Sequence, residues 1–197
     1  MHMAIAEHPA PVVTRRRFNV TEYHLMADAG ILTEADRVEL IDGEILKMSP
    51  IGAAHGECVD ALNELLTQQV RGIARVRVQG SIRVNDSSEP EPDVAVLHRR
   101  RHRLALPTAS AVYLVIEVAD SSRGYDLGIK LPFYAAAGIA EAFLVDVIND
   151  VVERHTEPRD GTYQRVVIAR RGETLNSTVL PMVTLPVDVV LGHELPD

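Results

Sequence analysis

The segment VYLVIEVA, residues 112–119, constrains this chain more than any other. Six of its eight residues are aliphatic. Such a run reads as a strand covered on both faces, at the centre of a sheet flanked by helices. Glu117 stands inside it. A lone buried carboxylate is costly, so Glu117 must be paired with a base, protonated or bound to a cation.

The flanking sequence supplies the rest of a mixed α/β sheet. Residues 1–16 are Pro-rich and aperiodic and are expected to form a flexible arm, with a single domain over 17–197. Thr21 is the expected N-cap of a short helix, TEYHLMADAG, that Gly30 stops. RVELIDGEILKM reads as two strands about the turn pair Asp42-Gly43, with Glu39 and Ile41 on one face. HGECVDALNELLTQQV, residues 55–70, spaces Cys58, Leu62, Leu65, Leu66 and Gln69 as an amphipathic helix. ARVRVQGSIRV, residues 74–84, alternates as one half-exposed strand. PDVAVL is the next strand, HRRRHR a basic loop, and the central strand follows. After the turn DSSRGY comes a helix, LGIKLPFYAAAG, then the strand EAFLVDV, a meander of two more, and an extended end through LPMVTLPVDVVLG. The order of elements gives a sheet covered by helices, with an N-terminal helix and β-hairpin.

Composition narrows the function. Hydrophobic residues make up 46% of the chain and charged residues 24%, an ordinary globular balance. No apolar run reaches the roughly 18 residues of a membrane helix. The start MHMAIAEHPAPVV lacks the pattern of a signal peptide, and Cys58 is the one cysteine, so a cytoplasmic location is expected. The net charge of −8 argues against an unspecific electrostatic grip on nucleic acid. Carboxylates gathered about a metal would add to that negative total.

Three acids fall where acids are expensive: Glu39, Asp93 and Glu117. Strand alternation puts Asp93, Ala95 and Leu97 on one side, and Val115, Glu117 and Ala119 on one side. If the two strands adjoin, both carboxylates face one point and suit a hard cation such as Mg²⁺ or Mn²⁺. Each acid also has a plainer reading. Glu117 is then a buried acid paired with an arginine, Asp93 a strand-start hydrogen-bonding residue and Glu39 a half-exposed hairpin acid.

The order PD, a spacer and an acid in an apolar strand resembles the PD-(D/E)XK phosphodiesterase superfamily. RVELIDGEILKMSPIGAAHG, EPDVAVL, VIEVADSSRGYDLGIKLPFYAAAGIAEAFLVDV and LPMVTLPV, in this order, resemble the Uma-two family of putative restriction endonucleases over most of residues 17–190. The resemblance implies a restriction-endonuclease-like core, with Asp93 and Glu117 as metal ligands and Glu39 as an additional acid. It also implies that Gln79 and His55 line the site. The superfamily's lysine position, two residues after the acid, holds Ala119. The family's usual answer, a lysine on the following helix after an aspartate, fits Asp126 and Lys130. Pro132 would lose a hydrogen bond deep in a helix, so the regular helix is expected to start near Leu131, with Lys130 at its entrance.

The expected function is therefore a DNA endonuclease that uses Mg²⁺ (or Mn²⁺), with Asp93, Glu117, Lys130 and Glu39 catalytic. A homodimer is expected, since cutting both strands of a duplex needs two sites. The alternative is a nuclease-fold module that binds or regulates without turnover, favoured by the acidic balance, the displaced lysine and the short basic run. A small-molecule hydrolase built on Ser121 or Ser122 is the weakest reading, because no nucleophile-elbow motif surrounds them. For the HRRRHR run a solvated loop is the default, and phosphate contact the functional alternative.

Overall fold

The computed structural model describes residues 14–99 and 105–192. Most of the expected arm, and residues 100–103 of the HRRRHR run, lie outside the described residues.

Asn19, rather than Thr21, caps the first helix, α1 (Val20–Asp28). The Asn19 side chain accepts the Glu22 N–H at 2.9 Å, and the Glu22 carboxylate accepts the Asn19 N–H at 3.1 Å. This reciprocal box satisfies two end donors at once, which moves the cap upstream of its expected place. The hairpin β1 (Val38–Ile41) and β2 (Glu44–Lys47) turns at Asp42-Gly43 as its sequence predicts. Both turn residues have positive φ, 48° and 75°, the conformation a two-residue hairpin needs.

Six strands form the main sheet, in the order β3 (Ala74–Val78), β4 (Val94–His98), β5 (Val112–Ala119), β6 (Glu141–Asp146), β7 (Val151–Arg159), β8 (Thr162–Arg170). Only β5 and β6 run parallel. The crossover joining them is helical: α3 (Arg123–Tyr125), a π-turn over Asp126–Lys130, then α4 (Leu131–Ala136).

One face of the sheet packs on α2 (Ala53–Gln69) and α5 (Val187–Leu191). Leu62 and Leu66 meet Val94, Val96, Ile116 and Val118 there. The opposite face packs on α4, where Leu131 and Tyr134 meet Ala95, Leu97, Val115 and Ala142. A second hairpin, β9 (Thr174–Asn176) and β10 (Thr184–Pro186), leads into α5.

Two further expectations change. The strand expected over 74–84 ends at Val78, because Gln79 takes a left-handed conformation (φ 43°). Past that break Ile82 packs on the α4 side, whereas Val76 and Val78 pack on the α2 side. The expected extended end contains a helix instead. Val187 and Val190, three apart and fully buried, share one helical face against the core.

Candidate active site

Antiparallel pairing of β4 with β5 sets Ala95 opposite Val115 and Val94 opposite Ile116. Continuing that register by one residue sets Asp93 opposite Glu117. Both side chains lie on the face that carries Ala95 and Val115, the face covered by α4. They open into a cleft of about 260 Å³.

The crossover supplies the base. The N–H of Leu131 donates to Asp126 O, five residues back, so the chain stays helical from Arg123 into α4. The π-turn places Pro132 in the first turn of the regular helix, where its missing N–H does no harm. Lys130 is carried to the strand ends, with Nζ 2.9 Å from Glu117 Oε2 and 3.0 Å from Glu91 O. Glu39 Oε2 is 3.7 Å from the same ammonium. One turn after Lys130, the Tyr134 hydroxyl donates to Glu117 Oε1 at 2.5 Å.

The other acids are held in place too. Asp93 Oδ2 accepts the Val118 N–H at 2.8 Å, and Oδ1 lies 2.9 Å from His55 Nε2 at the start of α2. Glu39 accepts the Glu91 N–H and the Tyr125 hydroxyl, each at 2.9 Å. Asp126 accepts the Ser122 hydroxyl at 2.7 Å.

Burial pushes the Glu117 carboxyl up to about 8; Lys130 opposes that rise, and the charges of Asp93 and Asp126 add to it. Burial works against the charge on Lys130, but Glu117, Glu39, Asp93 and Asp126 outweigh it and hold the ammonium above its ordinary range. The hydrogen bond to Asp93 raises His55. Burial also raises Asp126 and Glu91.

Six carboxylic acids line the cleft, Glu39, Glu91, Asp93, Glu117, Asp120 and Asp126, against three full bases, Arg37, Lys47 and Lys130. The negative surplus and the hard oxygen donors fit a divalent cation. Among the described residues no three His, Cys, Asp or Glu side chains form a ready-made cage. A small hard ion that keeps several of its waters takes only one or two carboxylates. Asp93 and Glu117, on adjoining strands and lining one cleft, could offer it oxygens. Each of their oxygens accepts one of the bonds above and keeps a second lone pair.

Glu39, His55, Asp93, Glu117 and Lys130 thus meet in one cleft. Gln79 does not join them. Its side chain lines a neighbouring cleft, while its backbone N–H donates to Asp93 O at 2.9 Å. Glu91, Tyr125 and Tyr134 belong to the site and escaped sequence reading. Tyr134 did carry a signal, its i+4 spacing from Lys130.

Behind the cleft an ion network anchors α3. Arg123 lies 2.6 Å from Asp146 Oδ2 and 2.7 Å from Glu153 Oε1, and Glu153 Oε2 lies 3.0 Å from His155 Nε2. The His155 hydrogen bond, with help from Arg123, lowers the Glu153 carboxyl below its ordinary 4.5. Burial opposes the shift at Asp146, but Asn149 and Arg123 prevail and lower it too. Carboxyls lowered by folding add stability above their unfolded values, and the gain disappears as pH falls through the folded ones. The melting temperature is expected to drop below about pH 4.5. Glu153→Gln should flatten part of that drop, which melting curves between neutral and acid pH would measure.

A mixed sheet with this crossover, and a cleft of paired acids at its strand ends, defines a restriction-endonuclease-like fold. The chain belongs to the Uma2 (Uma-two) family, described as putative restriction endonuclease, whose profile matches residues 20–188. Among solved structures, the chain resembles a putative nuclease belonging to DUF820 from Anabaena variabilis ATCC 29413 with a TM-score of 0.67. The two are 14% identical, over 83% of this chain and 94% of that one, so the likeness is one of fold. No curated protein matches the sequence. No helix among the described residues is long and apolar enough to cross a membrane.

Proposed function

We propose that this chain is a metal-dependent endonuclease that hydrolyses phosphodiester bonds in DNA. The observation that carries the reading is the meeting of Asp93, Glu117 and Lys130 at the base of an acid-rich cleft, in a chain of this family. Asp93 and Glu117 would hold Mg²⁺ or Mn²⁺, and the bound ion supplies a polarised phosphoryl oxygen and a more acidic water.

The protein's own groups do the rest. Lys130 is charged and pre-placed, so its ammonium orients the attacking water and offsets the charge that builds on the phosphate oxygens. Glu39 keeps that ammonium at the cleft while being fixed itself by Tyr125 and the Glu91 N–H. His55 and the Val118 N–H aim Asp93, and Tyr134 aims Glu117. Cutting both strands of a duplex takes two such clefts, which a symmetric homodimer provides.

The test is an assay on supercoiled, linear and single-stranded DNA with Mg²⁺, Mn²⁺ or EDTA. Nicks or breaks are expected with either ion and none with EDTA. Inertness on every substrate in both ions would sink the proposal. One observation favours a second reading, a binding module without turnover: the Lys130 ammonium is already engaged by Glu117 and Glu91 O. Calorimetric metal binding with no cleavage would select it.

A further inference from the structure

Beside the acid-lined cleft lies a larger one of about 790 Å³. Arg37, Met48 and Glu91 line both, so the two lobes adjoin at these three residues. Arg37 is half-buried, and its side chain has no hydrogen bond or ion pair among the described residues. Its backbone is left-handed (φ 45°), as is that of Gln79, which lines the same larger lobe (φ 43°). Non-glycine residues seldom hold this conformation, and such strain gathers where side chains must be aimed.

The second lobe has its own chemistry. Tyr23, Leu32, Val38 and Met48 give it apolar walls. Its acids are Glu34, Glu89 and Glu91, and Arg37 is its one arginine or lysine among the described residues. Glu89 is buried and bound to His24 at 2.8 Å. Gln79 adds a carboxamide with no hydrogen-bond partner among the described residues. A phosphate is repelled by such a lobe beyond Arg37. A flat base is not, and carboxylate and carboxamide oxygens accept from exocyclic amines. The volume falls within the roughly 300–1,000 Å³ of small-molecule pockets.

We propose that this lobe is a nucleobase subsite. Arg37 grips the phosphate next to the scissile one. The base of that nucleotide, one bearing an exocyclic amine, leaves its stack and enters the lobe, where Gln79 and the acids read its edge. The inference deepens the nuclease reading and rests on it.

The sequence of the ends left by cleavage tests it. A random-sequence oligonucleotide pool is cut in Mn²⁺ by wild type, Gln79→Ala, Leu32→Trp and Arg37→Ala, and the ends are sequenced. Wild type should deplete thymine about tenfold at one position flanking the cut. Gln79→Ala should weaken that bias, and Leu32→Trp, which fills the lobe, should erase it. Arg37→Ala should raise KM about tenfold whatever the sequence. Gln79 is exposed, so its variant is the one least able to disturb folding. Wild-type ends with no bias, or a bias untouched by both Gln79→Ala and Leu32→Trp, would overturn the subsite.

If the wild type cuts nothing, the nuclease reading fails and binding decides the subsite separately. Fluorescence anisotropy of labelled oligo-dA, oligo-dC and oligo-dT should then show dT weakest, with the difference lost in Leu32→Trp. Equal binding of the three would refute it.

Discussion

Asp93→Asn is expected to stay folded and to lose cleavage by ~10³-fold, since the bound ion's several kcal/mol of transition-state stabilisation goes with it. Asparagine is the informative choice. The Asp93 carboxylate accepts the Val118 N–H at 2.8 Å, and alanine would leave that partly buried donor without its acceptor, at a cost of about 1–3 kcal/mol. The amide oxygen of asparagine can still accept that bond. What disappears is one full negative charge and one anionic donor to a cation. Metal affinity measured by calorimetry should fall together with the rate, while the melting temperature without metal stays close to wild type. Removing a charge that faces other carboxylates can even raise it. An Asp93→Asn enzyme that keeps more than about a tenth of wild-type cleavage would mean that the acid is not a ligand.

How much of this was legible beforehand depends on which forces leave a trace in composition. The central strand over 112–119 was readable to the residue, because aliphatic continuity is what a strand covered on both faces requires. The Asp42-Gly43 turn was readable because only a few residues tolerate its two positive φ values. The facing of Asp93 and Glu117 followed from alternation once their strands adjoined, and pairing of β4 with β5 adjoins them. Strict alternation misled at residues 79–84. A single left-handed residue, Gln79, reverses the faces and leaves no mark on the hydrophobic pattern. The π-turn was hidden for a similar reason. Pro132 said where regular helix begins, but not that the preceding residues would stay helical by widening one turn. Tyr125, Tyr134 and Glu91 were missed because hydrogen bonds between distant elements have no local signature; Tyr125 is 86 positions from the Glu39 it serves.

Lys130→Met should destabilise the protein by about 3–5 kcal/mol at neutral pH, the usual effect of removing one member of a buried ion pair. Lys130 and Glu117 are both buried, with 2.9 Å between Nζ and Oε2, and Glu39 looks on from 3.7 Å. Methionine fills much of the lysine volume, so the loss is electrostatic more than steric. Adding Glu117→Gln removes the carboxyl left without its ammonium, and the double variant should recover much of the stability. The coupling from the double-mutant cycle should be large, since the two groups share one hydrogen bond. The pH dependence gives an independent sign. Glu117 is already raised to about 8 from an ordinary 4.5, and losing the opposing ammonium raises it further. Between those values the folded variant binds a proton that the unfolded chain does not, so its stability must climb as pH is lowered from about 8 toward 5. Denaturant midpoints across that range would show the climb. A flat profile, with a loss under about 1 kcal/mol, would place the Lys130 ammonium away from Glu117 in solution and remove it from the catalytic set.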